Sequence, residues 1–458
     1  MASGLGSDKS MMKQYNDHQI MRRLRSSVRS ILLSPWYLPV LIALAFAVRL
    51  CWILVFDPKP VSDFSFYFQC AESIARGLGY TKNGGFATAY FPAGYPLFLG
   101  VLFRLFGISI AIAQTANLVL SVLSLLLVYW IARELFRSEL TGRLALLFLA
   151  IYPNSIAYTP LLGVEVVHLF LLLLGVGILL PSISNTERAS PGRLLIAGLV
   201  FGFATLVKMQ TLLLPALLLL LFPQFLWEKR SLNNRLKKIA MLYAVIIVVL
   251  SPWIVRNYIL YDDLVLSNND GLNLYMGNGP EANGTWVAVP WFPVDNNTQD
   301  EYKLNQTARR EAIGYIETHP FRTLTLMPNK LISLLSHGDG VFWNIISTRS
   351  TLNMTRGILL QLDRINTMYE ITLLVLFMAS LSLGLWTRLK LGKGRGWPLL
   401  GILVILYFIG IYLVYYGAAR YHFPIIPWAM MYSAALLTAF LTKDEGELSA
   451  ELPARPDQ

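Results

Sequence analysis

Trp36-Tyr-Leu-Pro-Val-Leu-Ile-Ala-Leu-Ala-Phe-Ala-Val-Arg49-Leu-Cys-Trp-Ile-Leu-Val-Phe56 carries a single charge, Arg49, over its whole length. A helix needs roughly 20 mostly apolar residues to cross the hydrocarbon layer of a bilayer. In lipid every backbone amide must be bonded within its own segment, so this stretch reads as a spanning helix. A barrel strand would instead place polar residues at every second position. The block is long, holds Arg49 and runs on through Trp52, which marks a retained anchor rather than a cleaved signal peptide.

Comparable blocks recur along the chain. Counted with 36–56, about ten spans fall near 109–131, 144–162, 164–181, 194–210, 211–226, 239–256, 370–386, 397–416 and 424–441. Composition agrees: of 458 residues 55% are hydrophobic and 14% charged, with a mean hydropathy of +0.52. A soluble domain carries roughly a quarter charged residues. The fold class is an all-α polytopic membrane protein with a small mixed α/β outer domain.

Lys and Arg set the orientation. They occur in the N-terminal arm (Arg22, Arg23, Arg25, Arg29) and in loops holding Arg133, Arg137 and Arg143, then Arg188 and Arg193, then Lys229 to Lys238, then Arg388 to Arg395. With ten spans all fall on one face, the cytoplasmic one, and both termini lie there. The organisation is a basic arm at 1–35, a transmembrane region at 36–256 with a first outer loop at 57–107, an outer domain at 257–369, C-terminal helices at 370–441, and an acidic disordered cytoplasmic tail at 442–458. The formal charge of +11 needs no nucleic-acid partner, because topology and anionic lipid heads account for the basic arm.

The two outer segments carry the chemistry. In the first, Phe64, Tyr67, Phe68, Ala71, Ile74 and Ala75 recur at helical spacing opposite Ser65, Gln69, Glu72, Ser73 and Arg76, an amphipathic interfacial helix. A glycine-rich turn leads to Tyr90-Phe-Pro-Ala-Gly-Tyr-Pro96 and a short apolar run, read as a surface or re-entrant helix. The second outer segment predicts helices near 301–318 and 320–336.

Asp63-Phe-Ser-Phe-Tyr67, Gly77-Leu-Gly-Tyr80 and Tyr90-Phe-Pro-Ala-Gly-Tyr-Pro-Leu-Phe98 resemble the first outer loop of GT-C membrane glycosyltransferases. The branch they resemble is the bacterial one related to protein O-mannosyltransferases and lipid A aminoarabinose transferases. Pro252-Trp-Ile-Val-Arg-Asn-Tyr258, Asn269-Asp-Gly-Leu-Asn-Leu-Tyr-Met-Gly-Asn278 and Arg420-Tyr-His-Phe-Pro424 extend the likeness over most of the chain. The resemblance implies a polyprenyl-phosphate-linked sugar donor, inversion at the anomeric carbon, and an inner-membrane enzyme working on the outer face. The acceptor, whether lipid, polysaccharide or protein, stays open. Phe64 stands where related mannosyltransferases have Glu, and Tyr90-Phe91-Pro92 where aminoarabinose transferases have a Glu-Lys pair. A second acidic group and any metal it would hold are therefore not carried over.

An acceptor hydroxyl needs a base during attack, and a departing lipid phosphate needs cations and donors. Asp63, at the outer end of the first span, is the candidate base; the competing reading is an ordinary helix N-cap. Glu165 opens the fourth span and is expected to face the outer cavity, with His168 one turn on. A Glu-x-x-His pair can be half of a metal site, but no second pair follows, so no metal or other cofactor is assigned. Arg256, Arg420, Lys208 and Arg49 are candidate phosphate cations, with Arg256 and Arg420 favoured and then Lys208, each equally a snorkelling side chain. Arg49 lies deeper and should face a polar interior or a carboxylate, since an unpaired charge there costs at least roughly 2–3 kcal/mol. Tyr67, Tyr90 and Tyr95 are candidate stacking residues for sugar or prenyl chain, or merely interfacial aromatics. Cys51 and Cys70 suggest no disulfide. The alternative function is a polysaccharide polymerase or ligase, or a flippase, acting on polyprenyl-diphosphate-linked glycans. A transporter would show inverted halves, which are not evident.

Overall fold

The computed structural model describes residues 4–56, 58–82, 85–184, 190–221, 232–289, 298–335, 356–391 and 399–443. The tail beyond 443, the loop residues Arg188, Lys229, Arg230, Lys393 and Arg395, and the whole stretch 336–355 lie outside them. Among the described residues the chain is helical apart from one two-stranded ribbon.

The helices are α1 (Gly4–Leu33), α2 (Tyr37–Phe56), α3 (Ser62–Ala75), α4 (Gly94–Phe106), α5 (Ile110–Phe136), α6 (Glu139–Ile151), α7 (Pro153–Tyr158), α8 (Glu165–Ser184), α9 (Pro191–Val207), α10 (Leu214–Leu221), α11 (Leu232–Tyr261), α12 (Asp270–Asn278), α13 (Thr298–Thr318), α14 (Pro320–Leu335), α15 (Arg356–Leu391), α16 (Leu400–Val414) and α17 (Ile426–Leu441). Four described stretches are long and apolar enough to cross a membrane alone: Tyr37–Phe56, Ile110–Phe136, Asn233–Tyr261 and Leu360–Gly384. Shorter apolar helices fill the bundle between them. The chain is an integral membrane protein, and large apolar residues such as Leu44, Leu54, Ile247, Val248 and Leu406 stand exposed on its helices, as contact with lipid requires.

The block expected to span at 144–162 is not one helix. α6 ends at Ile151, Tyr152 turns extended (ψ 113°), and Pro153 opens the short α7. Proline lacks the amide that would continue α6 and is pre-set for a first helical turn. This break sits over Arg49, which is fully buried. The guanidinium donates to Ser121 Oγ (2.8 Å), to the carbonyls of Ala150 and Leu149 (both 3.1 Å), to Ser155 Oγ (3.2 Å) and to Ala45 O (3.2 Å). Carbonyls freed by the helix break are thus the acceptors that keep a buried cation satisfied. The expectation of a polar interior for Arg49 is met by hydroxyls and carbonyls, with no carboxylate among these contacts.

α3 is the amphipathic helix the spacing predicts. Phe64, Tyr67, Cys70, Ala71 and Ala75 are buried, and fully burying each large apolar side chain stabilises by about 1.5–3 kcal/mol. The run after Pro96 forms α4, which packs along α3 so closely that Gly100 meets the Ile74 side chain. The ribbon, Thr81–Lys82 against Phe86–Ala87, belongs to this first outer loop. The described part of the second outer segment is helical instead (α12, α13, α14).

The two segments expected on the outer side pack together as one roof. Asn268 N donates to Ala89 O (2.7 Å) and Ser267 Oγ to Tyr90 O (2.9 Å). Glu301 of α13, 5% exposed, accepts from Thr88 Oγ1 (2.6 Å), Ala89 N (2.9 Å), Asn268 Nδ2 (3.1 Å) and Tyr261 OH (3.4 Å), and pairs with Lys82 Nζ at 3.3 Å.

Candidate active site

α3 begins under strain. Ser62 has φ of 50°, a left-handed conformation uncommon for a residue with a Cβ and typical of functional sites. The next residue, Asp63, sits in the first turn, yet the helix start carries no side-chain cap hydrogen bond. Its carboxylate turns elsewhere: Oδ2 lies 2.9 Å from Arg420 Nη1, with the two side chains 30% and 36% exposed. Residues 357 positions apart in sequence are brought together at a part-open surface.

A second ion pair closes the wall beside it. Glu165 opens α8 and lies 3.6 Å from Lys208 Nζ, with side chains only 5% and 10% exposed. Lys208 holds an extended backbone where α9 ends and a 3₁₀ turn, Met209–Thr211, begins. Gly163 allows this geometry, because a Cβ there would run into the Glu165 carboxylate and the Phe64 ring. Tyr421 joins the two pairs: the Arg420 guanidinium lies 5.4 Å from its ring centroid and Lys208 Nζ 5.6 Å, both within cation–π range. The Tyr421 ring stacks on Tyr412 (4.7 Å, 2°) and its hydroxyl meets that of Tyr416 at 2.8 Å.

Tyr67 lies under the same charges. Burial pushes its phenol well above the usual value, and Asp63 and Glu165 add to that while Arg420 opposes it. Tyr90 behaves likewise, raised mainly by burial and then by Asp63; both phenols stay protonated, as hydrogen-bond donors. Tyr67 packs on Tyr95 (5.6 Å) and Phe91 (5.0 Å), which extends an apolar aromatic wall from the charged cluster. For Arg420 itself burial works against the charge, but Tyr421, Asp63 and Tyr416 hold its pKa above the ordinary arginine value, so it stays cationic.

The other expected residues are placed differently. Arg256 points its fork at the first outer loop, donating to Thr88 O (2.6 Å) and Tyr80 O (2.9 Å), with its guanidinium 4.9 Å from the Trp253 ring. Its fork is engaged by the loop carbonyls and by Asn257 Oδ1 (2.8 Å), and Arg49 by the helix break. His168 Nε2 meets Thr211 Oγ1 at 2.7 Å. Among the described residues no three of His, Cys, Asp and Glu gather as metal ligands. Sequence reading passed over Tyr421, although it lies within the quoted Arg420–Pro424 stretch. Glu301, Lys82 and Glu370 carried no local signal at all, since each meets partners far away in the chain.

Residues 91–255 match the family model described as dolichyl-phosphate-mannose-protein mannosyltransferase, in keeping with the GT-C resemblance read from the sequence. Among solved structures, the chain is similar to ArnT from Cupriavidus metallidurans bound to undecaprenyl phosphate. The two share 14% identity, with 92% of this chain and 82% of that one covered and a TM-score of 0.45. For ArnT of the same organism in the apo state the identity is 13%, the coverage 91% and 80%, and the TM-score 0.43. No curated protein matches the sequence.

Proposed function

We propose that this GT-C membrane glycosyltransferase moves a single sugar from a polyprenyl-phosphate carrier to an acceptor hydroxyl on the outer face of the membrane. The observation that carries the reading is the Asp63–Arg420 pair, part-open and flanked by Glu165, Lys208 and a tyrosine wall. The family match adds support, because its description names a polyprenol-phosphate sugar as donor.

In this reading the phosphate of the carrier takes Arg420, whose planar fork suits phosphate oxygens, with Lys208 behind it. Asp63 then loses its cationic partner and is free to accept a proton. The acceptor oxygen attacks the anomeric carbon from the face opposite the phosphate, and its proton passes to Asp63. The C–O bond to phosphate breaks with its electron pair, leaving a lipid phosphate whose added charge Arg420 and Lys208 offset. Glu165 orients sugar or acceptor hydroxyls, while Tyr67, Tyr90 and Tyr95 line the path of sugar and prenyl chain.

The test is incubation of purified protein with a panel of polyprenyl-phosphate sugars, scoring which one is consumed. Asp63→Asn is expected to lose about 10²–10⁴-fold in transfer while still binding donor, and full activity in that variant removes Asp63 from the mechanism. Arg420→Ala should weaken donor binding; unchanged affinity refutes the phosphate assignment.

A further inference from the structure

Directly behind the Arg420 turn lies a buried polar cluster that the proposed chemistry does not use. It is built from the α6–α7 joint, α7, α15 and the 3₁₀ turn Ala419–His422. Glu370 Oε1 accepts from Tyr152 OH (2.7 Å), Asn154 Nδ2 (3.2 Å) and Asn366 Nδ2 (3.2 Å). His422 Nε2 lies 3.0 Å from Tyr152 OH, 3.2 Å from Asn154 Nδ2 and 3.5 Å from Glu370 Oε1. All five side chains are buried, His422 at 2% and Glu370 at 5% exposure.

Such a cluster is costly to bury unless each member is satisfied. Its position tells what it holds. The 3₁₀ turn spans four residues, and helices of this kind have poor hydrogen-bond geometry and little stability of their own. His422 sits at the turn's inner end, locked to three other elements, while Arg420, two residues earlier, faces outward to Asp63. Tyr152 is itself fixed by stacking on Tyr369 at 5.4 Å, whose hydroxyl donates to Phe148 O at 2.7 Å. Below the turn, Phe423 meets Tyr158 at 4.7 Å.

We propose that His422, held by Glu370, Tyr152 and Asn154, is a positioning residue that sets where Arg420 presents its guanidinium to Asp63 and to the donor phosphate. Its enzymatic arm rests on the function proposed above; its structural arm does not.

The structural arm uses full-length protein with Cys51→Ser and the pair Asp63→Cys/Arg420→Cys, treated with a short bifunctional maleimide. Tyr152→Phe keeps the ring stack and removes only the hydroxyl, and His422→Asn removes the ring. Both are expected to cut the cross-linking rate several-fold while the bundle stays folded at the assay temperature, its melting temperature lowered only by the loss of one buried partner. An unchanged rate in both overturns the proposal. In the enzymatic arm His422→Asn should raise the donor KM about tenfold with kcat little moved, and should add nothing further in an Arg420→Ala background. Losses that multiply in the double variant refute the positioning role. If Arg420→Ala alone leaves the donor KM unmoved, the phosphate assignment falls, and the cross-linking result still decides the role of His422.

Discussion

Glu301→Ala tests the joint on which the roof depends. The carboxylate holds the Lys82 ammonium, whose side chain is 4% exposed, together with the Thr88 hydroxyl, the Ala89 amide and the Asn268 amide. Removing it leaves a buried cation without its counter-charge, which costs about 3–5 kcal/mol. These three neutral donors and the Tyr261 hydroxyl (3.4 Å) also lose an acceptor, at about 1–3 kcal/mol each where water cannot reach them. These costs overlap, since any water admitted to one group reaches the rest, so the expected loss is about 3–5 kcal/mol for local opening of the roof. The readout is amide exchange of the peptide spanning 80–91 in lipid nanodiscs. At 1.36 kcal/mol per decade the expected acceleration is about 10²–10⁴-fold. The double variant Lys82→Met/Glu301→Met removes charge from both sides and should recover part of that loss. Exchange within tenfold of wild type in Glu301→Ala, or a double variant as fast as the single, would refute the reasoning.

Arg49→Met strands the carbonyls of Leu149 and Ala150 at the α6 break and should lower stability by about 3 kcal/mol. Arg49→Lys should not rescue it, because one ammonium cannot reach acceptors spread around a fork; a melt equal to wild type in either variant contradicts this. Gly277→Ala drives a Cβ into the Tyr415 carbonyl, a backbone atom that cannot swing aside. The expected loss is about 1–3 kcal/mol, read as a drop in melting temperature, and an unchanged melt would show that α12 can shift freely. Lys330 has its pKa lowered from 10.5 to about 8 by burial. Below pH 8 both states hold the proton and the burial cost is felt in full; between about pH 8 and 10.5 the unfolded chain binds more protons, so stability rises with pH by at most about 3 kcal/mol. Melting curves across that window should lose this slope in Lys330→Met, and an identical slope in the variant assigns it to other groups.

Legibility in the sequence followed the range of the interaction concerned. Spans and the α3 face were readable because hydropathy over about 20 residues and a 3.6-residue period are local properties. The break at Tyr152 was not, although Pro153 and Pro160 stood in the block, because apolar length alone does not tell a straight span from two joined helices. Asp63, Glu165, Lys208 and Arg420 were visible as charges at helix ends. Their pairing was not, because each partner arrives from a different helix end. Arg256 looked the same as Arg420 in sequence and Arg49 differed only in depth; their acceptors separate them: loop carbonyls for Arg256, a helix break for Arg49, a carboxylate for Arg420.

That difference in acceptors is also the strongest physical ground for locating the site. Arg49, Glu301 and Lys330 are buried ions whose hydrogen-bonding capacity is largely filled by fixed groups; Lys330 Nζ, for example, donates to Asn278 Oδ1 (2.8 Å) and Leu413 O (3.0 Å). Glu165 and Lys208 are as deeply enclosed, yet their pair stands at 3.6 Å, longer than a hydrogen bond. Among the described residues neither Glu165 Oε2 nor Lys208 Nζ finds a hydrogen-bond partner. A buried polar atom left short of partners costs about 1–3 kcal/mol; a ligand's phosphate oxygens would relieve it for the Lys208 donor, and a ligand's hydroxyl donor for the Glu165 acceptor. The neighbouring Asp63–Arg420 pair is open enough to exchange partners, since a third of each side chain is exposed and such a pair contributes only about 0–1 kcal/mol. An anion entering here would lose little in parting Arg420 from Asp63 and would gain from Lys208, whereas a neutral ligand would leave both pairs as they stand. The charge arrangement therefore favours a phosphate-bearing ligand at this point of the roof over an uncharged one.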